Sequence, residues 1–354
     1  MGSIITGSGV DVPRHVVTNH DLAVVMDTSD EWITTRSGVK ERRFVEPGIT
    51  TSDLAAAAGL AAVEDAGCGP AQIDAAVIAT MTPDQLAPGI AGLVQHKMGL
   101  PRVAVYDIRQ QCSGFLYALD LADTLIEGGR ADRVVVIGAE VHSGYLPWSD
   151  AVWRYLRGES AERPSEADRR RAGAFRDWSV LFGDGAGAVV VERAASSGAG
   201  FRAFALHTDG SAFDLIMVPG VGFRHRPYVD SAQLDADLHL PTMQGRKLFR
   251  LAVSLMPAAI REAAASAGIG VEDIDLVIAH QANARIVDAV TRELGLDHAK
   301  VPINIAGYGN TTAATLPILF HEMRSRDRVT PGSWVCFAAF GAGAHWGAAL
   351  YREP

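Results

Sequence analysis

Apolar residues fall in short unbroken runs, separated by stretches where they recur every three or four positions. Ala75-Ala76-Val77-Ile78-Ala79, Val103 to Ile108 and Val134-Val135-Val136-Ile137 have the length of strands. Strands apolar at every position are covered on both faces. Between them, Ile90 to Met98 reads as a helix. Phe115, Leu116, Leu119, Ala122, Leu125 and Ile126 then recur at helical spacing until Gly128-Gly129 stops them. Strands alternating with helices predict an α/β fold with helices on both faces of a mostly parallel sheet.

The second half repeats this order. Gln72-Ile73-Asp74-Ala75-Ala76-Val77-Ile78-Ala79 resembles Asp273-Ile274-Asp275-Leu276-Val277-Ile278-Ala279, and each is followed by a helix ending in Met98-Gly99 or Leu294-Gly295. A short strand, a sharp turn and another helix are expected after each. The pattern predicts two related halves, residues 1–195 and 196–354, with a site where they meet. An insertion at about 152–177 interrupts the first half. From Arg154 to Asp177 it carries seven arginines and five acidic residues. It reads as a solvated helical insertion or mobile loop, with a lid or partner-docking role as the other reading.

Composition narrows the function classes. Of 354 residues 48% are hydrophobic and 21% charged, which excludes a disordered chain, and the net charge of −9 disfavours nucleic acid or an acidic membrane as partner. Three widely spaced cysteines without a C-x-x-C pair argue against disulfides and zinc and for a reducing, cytoplasmic setting. No clustered ligand spacing points to a metal.

Cys112 lies in Arg109-Gln110-Gln111-Cys112-Ser113-Gly114-Phe115, after a strand and at the start of a helix. There, free amides and the helix dipole are expected to favour a thiolate, although a lone cysteine is as readily a small buried hydrophobe. Cys68 and Cys336 read as structural. His280 ends the strand Leu276 to Ala279, and Asn310 lies in Gly307-Tyr308-Gly309-Asn310-Thr311-Thr312. Asn310 falls 35 residues after Asp275 and Cys112 falls 38 after Asp74, nearly equivalent places. The duplication would bring these two helix starts face to face. The other ten histidines read as satisfied core or surface residues. Two glycine-rich stretches, Phe182 to Ala188 and Phe340 to Gly347, read as tight turns. The amides of the second could instead point at an oxyanion.

Together these segments resemble β-ketoacyl-[acyl-carrier-protein] synthase III of the thiolase superfamily. The resemblance rests on Asp27-Thr28-Ser29-Asp30-Glu31-Trp32-Ile33, Gln111-Cys112-Ser113-Gly114-Phe115, Gly183-Asp184-Gly185, His280-Gln281-Ala282-Asn283, Gly309-Asn310-Thr311 and Phe340-Gly341-Ala342-Gly343, in that order. It implies a duplicated α-β-α-β-α fold and an acyltransferase. An acyl-CoA primer would be condensed with malonyl-acyl-carrier-protein through a cysteine acyl-enzyme, as in the initiation of fatty acid biosynthesis. A related acyltransferase or starter-unit enzyme of secondary metabolism is the alternative.

By the same resemblance, Cys112 would be the nucleophile, with His280 and Asn310 completing a catalytic triad. The amides of Cys112 and Ala342 would form the oxyanion hole. Trp32 and Arg176 would sandwich the adenine of coenzyme A, with Arg36 near its phosphates and Gly245 and Phe249 along the pantetheine tunnel. Arg246, Lys247, Arg250, Arg285 and Arg292 would dock the acidic carrier protein, and Ala87 and Phe340 would border the acyl pocket. The resemblance implies no bound cofactor, coenzyme A entering as substrate, and a homodimer whose second subunit completes the acyl pocket. A small residue at Ala87, where acetyl-preferring members often carry an aromatic one, favours longer acyl groups. Ala344 and His345 also depart from the family's usual Phe-Thr.

Overall fold

The computed structural model describes residues 2–195 and 198–354. In the first half β1 (Ser3–Asp11), β2 (Ala75–Ala79), β3 (Ala104–Ile108), β4 (Arg133–Glu140) and β5 (Gly185–Arg193) form one sheet in the order β1-β5-β4-β2-β3. In the second, β6 (Gly200–Thr208), β7 (Leu276–Ala279), β8 (Trp334–Gly341) and β9 (His345–Arg352) form a sheet in the order β6-β9-β8-β7. β4 runs parallel to β2 as β8 does to β7, and β4 and β5 are antiparallel as are β8 and β9. The first strand of each half lies antiparallel on the last. The duplication is therefore real at the level of topology.

Two expectations are corrected, and a third lies outside the described residues. The sheets are mixed rather than mostly parallel, because each half closes with antiparallel strands. β3 has no counterpart, since 301–304 runs irregularly where the repeat predicts a strand. Asn304 N–H donates to Gln281 Oε1 at 3.1 Å there, a side-chain bond in place of a ladder. The division at 195/196 runs into residues 196 and 197, which lie outside the described residues.

Helices α1 (Asp30–Ser37), α2 (Thr51–Asp65), α3 (Ala91–Lys97), α4 (Gly114–Glu127), α5 (Glu166–Ala174), α6 (Gly245–Ser266), α7 (Ala284–Leu294) and α8 (Thr315–Ser325) complete the layers. α4 and α8 lie between the sheets. Phe115, Leu119 and Ile126 pack with Leu316, Leu319 and Phe320 against Val77, Val134 and Val136 on one side and Ile278, Val335 and Phe337 on the other. The alternate residues Ile78, Val135 and Ile137 face outward to α2 and α3, while Val277, Cys336 and Ala338 face α6 and α7. Period-two alternation is present but invisible in the sequence, because both faces are buried.

The turns that precede α4 and α8 meet at the centre. Gln111–Ser113 and Thr312–Ala314 are both single 3₁₀ turns, each opened by a residue in the left-handed region, Gln111 at φ 52° and Thr312 at φ 50°. This match makes Ala313, not Asn310, the true counterpart of Cys112. Asn310 stands three residues further from its helix, where the first half has Arg109. Contact between the halves needs a bare backbone on β4: a Cβ at Gly138 would fall 2.3 Å from Ala313 O.

The insertion is largely folded in rather than loose. Val152, Ala172 and Trp178 are buried in a cluster with Phe44 and Trp148. Arg171 grips Asp237 with two bonds of 2.6 Å, tying α5 to the segment before α6. Behind the site, Arg42 is fully buried, donating to Val17 O at 3.1 Å and to Asn19 Oδ1 and Val180 O at 2.8 Å. Burial pulls its pKa down to about 9. Among the described residues no helix is long and apolar enough to cross a membrane.

The close approach at Gly138 gives a stability test. Gly138→Ala is expected to lower the unfolding free energy by about 2–3 kcal/mol through overpacking. Gly92→Ala in α3, whose Cβ meets nothing within 4 Å, serves as a neutral or mildly stabilising control in urea titrations.

Candidate active site

Cys112, His280 and Asn310 line a single cavity of about 140 Å³ between the halves. Its walls include Leu181, Phe182, Met243, Leu248, Met256 and Phe340, so the polar groups face a largely apolar space. Gly341 closes one side: a Cβ there would lie 3.0 Å from Cys112 N. The turn Ala342–Ala344 joining β8 to β9 is thus pressed against the cysteine, as the tight-turn reading of that stretch expects. The other stretch does not close a hairpin. It leads into β5, and the buried Asp184 accepts from Ser143 N at 2.9 Å and Val45 N at 2.8 Å.

His280 is held in a defined orientation. Its Nδ1 lies 2.7 Å from Thr315 Oγ1, and the Thr315 hydroxyl also donates to Thr312 O at 3.0 Å. Nε2 has no protein partner. Burial pushes the imidazole pKa down to about 3, so the ring is neutral and lines the cavity.

Asn310 is fixed in the same way. Its Oδ1 accepts from Thr312 N–H at 2.9 Å, which orients the amide and leaves the NH₂ as its free end. Its backbone is bound to the Gly-Asp-Gly segment, Asn310 N donating to Leu181 O at 2.8 Å and Gly183 N to Asn310 O at 3.1 Å. Gly309 (φ 67°) makes this approach possible, as a Cβ there would fall 2.8 Å from Leu181 O.

For Cys112 the expected thiolate does not form in the free site. Burial pushes the thiol up to about 12 and the nearby Glu140 charge adds to this, while the Thr312 hydroxyl acts in the opposite sense. Desolvation outweighs the amides and dipole at the helix start. Glu140 is itself buried and raised to about 7 by desolvation. Its carboxyl accepts from Thr82 Oγ1 at 2.6 Å, Thr80 Oγ1 at 3.2 Å and Met81 N at 3.1 Å, fixing the loop after β2.

The other expected residues separate into groups. Gly245, Phe249 and Phe340 line the cavity with the three polar residues. Trp32 lies near two guanidinium groups, Arg36 at 4.5 Å and Arg176 at 4.2 Å from its ring centre. Arg246, Lys247, Arg250, Arg285 and Arg292 are exposed on α6 and α7, with no ion pair among the described residues. Ala87 is not part of this cavity wall; its loop borders a separate hollow with Asp107 and Arg109. His345 turns outward, its Nδ1 2.9 Å from Thr208 Oγ1, while the Ser113 hydroxyl donates to its carbonyl at 2.9 Å.

Sequence reasoning missed Thr312, Thr315 and Glu140. Thr315 had a usable signal, one helical turn beyond Asn310, and Glu140 ends a long apolar strand where a carboxylate is out of place.

Two layered mixed sheets with paired central helices, and a cysteine opening one of them, define the thiolase class of fold. The family description for the 3-oxoacyl-[acyl-carrier-protein] synthase III C terminal matches residues 264–353, that for 3-oxoacyl-[acyl-carrier-protein] synthase III matches 106–210, and the thiolase N-terminal domain matches 34–155. The chain is 38% identical to β-ketoacyl-[acyl-carrier-protein] synthase III of Aquifex aeolicus, over 99% of this chain and 100% of that one. It is 41% identical to the Erythrobacter litoralis enzyme over 98% of both. Among solved structures, the Pseudomonas aeruginosa 3-oxoacyl-(acyl carrier protein) synthase III superposes with a TM-score of 0.85 at 32% identity, covering 100% of this chain and 99% of that one. The priming β-ketosynthase of the R1128 polyketide pathway gives 0.84 at 30%, covering 99% and 97%. This chain belongs to the β-ketoacyl-[acyl-carrier-protein] synthase III family.

The buried carboxyl predicts a pH effect on stability. Glu140 titrates near 7 folded against 4.5 in its ordinary state, so the folded chain holds the proton longer. Its contribution is therefore lost as pH rises through that window, by up to about 3 kcal/mol. Glu140→Gln should remove this slope. The stability gap between variant and native protein should then narrow from pH 5 to pH 8 in denaturant titrations.

Proposed function

We propose that this enzyme condenses an acyl-CoA primer with malonyl-acyl-carrier-protein, releasing CO₂ and forming a 3-oxoacyl-carrier product. The observation that carries this reading is a pair of uncharged polar groups with free ends, the His280 imidazole and the Asn310 amide, lining the same apolar cavity as a cysteine.

The Cys112 sulfur attacks the thioester carbonyl, its proton leaving with the departing CoA thiol, and an acyl-enzyme remains. The amides of Cys112 and Ala342 receive the developing oxyanion. Malonyl-carrier then enters, and loss of its carboxylate leaves an enolate whose oxygen takes hydrogen bonds from His280 and Asn310. Neutral donors suit this step because a cation would trap the carboxylate and an acid would quench the carbanion. The carbanion attacks the acyl-enzyme and Cys112 leaves as thiolate.

Trp32 with Arg36 and Arg176 is the reading for the adenine end of coenzyme A, and Gly245 with Phe249 for the pantetheine path. A base stacked between Trp32 and Arg176 needs them roughly 7 Å apart, so at 4.2 Å the arginine must swing aside. The unpaired arginines and lysine on α6 and α7 suit an acidic carrier protein. The free edge of β3, half exposed although mostly apolar, suits pairing with a second copy, which would bring the partner's loop around Ala87 towards the acyl end. A small side chain there favours acyl groups longer than acetyl.

Asn310→Asp tests the central claim. Acylation of Cys112, read by intact mass with an acyl-CoA series, should persist, whereas CO₂ release from malonyl-carrier should fall about a hundredfold or more. Equal loss of both steps, or none, would overturn it. Trp32→Ala should raise KM for acyl-CoA about tenfold, a loss of about 1.4 kcal/mol. Acylation by a truncated thioester lacking the nucleotide should be unchanged.

A further inference from the structure

The serine beside the nucleophile does more than fill space. Ser113 is fully buried, and its hydroxyl donates to the carbonyl of His345 at 2.9 Å. A carbonyl only accepts, so the single hydroxyl hydrogen is committed to that bond. The bond crosses between the halves. Ser113 closes the turn that carries Cys112, and His345 begins β9 directly after the turn Ala342–Ala344.

Tyr117 stands one helical turn further along α4, on the same face. Its hydroxyl donates to His207 O on β6 at 2.7 Å, and its ring meets the His345 ring edge-on at 5.8 Å between centres. Thr208 pairs with His345 in the ladder between β6 and β9, and its Oγ1 lies 2.9 Å from His345 Nδ1. The His345 ring in turn covers the bend: a Cβ at Gly343 (φ 138°) would fall 2.2 Å from its Cδ2. Ala344 also exchanges two backbone bonds with Asp209, at 2.9 and 3.0 Å. The stem of the turn is therefore held both from α4 and from the end of β6.

Two different constraints act on it. Contact sets how near the halves approach, since a Cβ at Gly341 would lie 2.9 Å from Ser113 N and 3.0 Å from Cys112 N. Contact alone leaves the two backbones free to slide past each other. A hydrogen bond is directional and fixes that sideways setting, and in a buried place the bond is strengthened by the low dielectric. The setting matters because the two amides read as the oxyanion hole belong to different halves, Cys112 to the first and Ala342 to the second.

We propose that Ser113 is a positioning residue for the oxyanion hole: its hydroxyl, anchored on His345 O, holds the Ala342 turn in register with the Cys112 amide, with Tyr117 as a second anchor on β6. The inference rests on the reading of Cys112 as acyl acceptor and of the Ala342 amide as an oxyanion donor. Its consequence falls on steps that build a tetrahedral oxyanion. Attack of the same sulfur on a saturated carbon builds none and needs no such register.

Two rates measured on one sulfur separate these cases. Acylation by saturating acyl-CoA, followed by rapid quench and intact mass, passes through an oxyanion. Alkylation by iodoacetamide, read on the Cys112 peptide by mass spectrometry, does not. Ser113→Ala should slow acylation about tenfold, less than the loss of a whole donor, while KM for acyl-CoA and the alkylation rate stay at their native values. Tyr117→Phe, which keeps the ring and removes the bond to His207, should slow acylation about threefold and again leave alkylation unchanged.

A Ser113→Ala enzyme that acylates at the native rate, one that loses acylation and alkylation equally, or one whose defect lies wholly in KM would overturn the proposal. If Ser113→Ala does not fold, the same pair of rates in Tyr117→Phe decides. The native enzyme separates the two readings. No acyl group on its Cys112 removes the proposed function and this inference with it, whereas native acylation that Ser113→Ala leaves untouched removes the inference alone.

Discussion

The structure depends on a backbone contact in which side chains have been removed to let two turns meet. Gly138 leaves β4 bare where Ala313 O arrives, and Gly341 leaves β8 bare where the Cys112 amide arrives. Each half thus presses its strand end against the other half's turn. Groups on separate halves acquire fixed relative positions without a long side chain having to reach across. Preorganisation of this kind makes electrostatic stabilisation effective, because the donors need no rearrangement as charge develops.

The threonines extend the same logic. Thr312 uses its amide on Asn310, its carbonyl within its own turn and its hydroxyl on His142. Thr315 holds Nδ1 of His280. Thr312 and Thr315 therefore dictate which end of an amide and which nitrogen of an imidazole are left free.

Much of this was legible in the sequence. Unbroken apolar runs marked the doubly covered strands, and the repeated Ile-Asp motif before Val77 and Val277 exposed the duplication. Cys112, His280 and Asn310 could be placed together because one opens a helix, one ends a strand and one lies in the glycine-rich turn before a helix. What escaped the sequence had physical causes. Parallel and antiparallel neighbours look alike when both faces are apolar, so the mixed sheets were hidden. Counting residues put Asn310 opposite Cys112, but the left-handed pair Gln111 and Thr312 sets the true register. The thiol's resting state depends on burial, which spacing does not report. The arginine-rich insertion looked solvated because its charges dominate its composition, while Val152 and Trp178 anchor it in a core.

The absence of a β3 counterpart in the second half breaks the symmetry of the duplication in a way that bears on assembly. β1 and β6, at the inner ends of the two sheets, abut so closely that a Cβ at Gly200 would strike Ser3 O at 2.2 Å. Just beyond β7, Gln281 holds the irregular segment through Pro302 O and Asn304 N. Among the described residues the outer edge of β3 carries no ladder partner. The pairing proposed above would use that margin once, about a dyad, and so close at two copies rather than grow into a fibre.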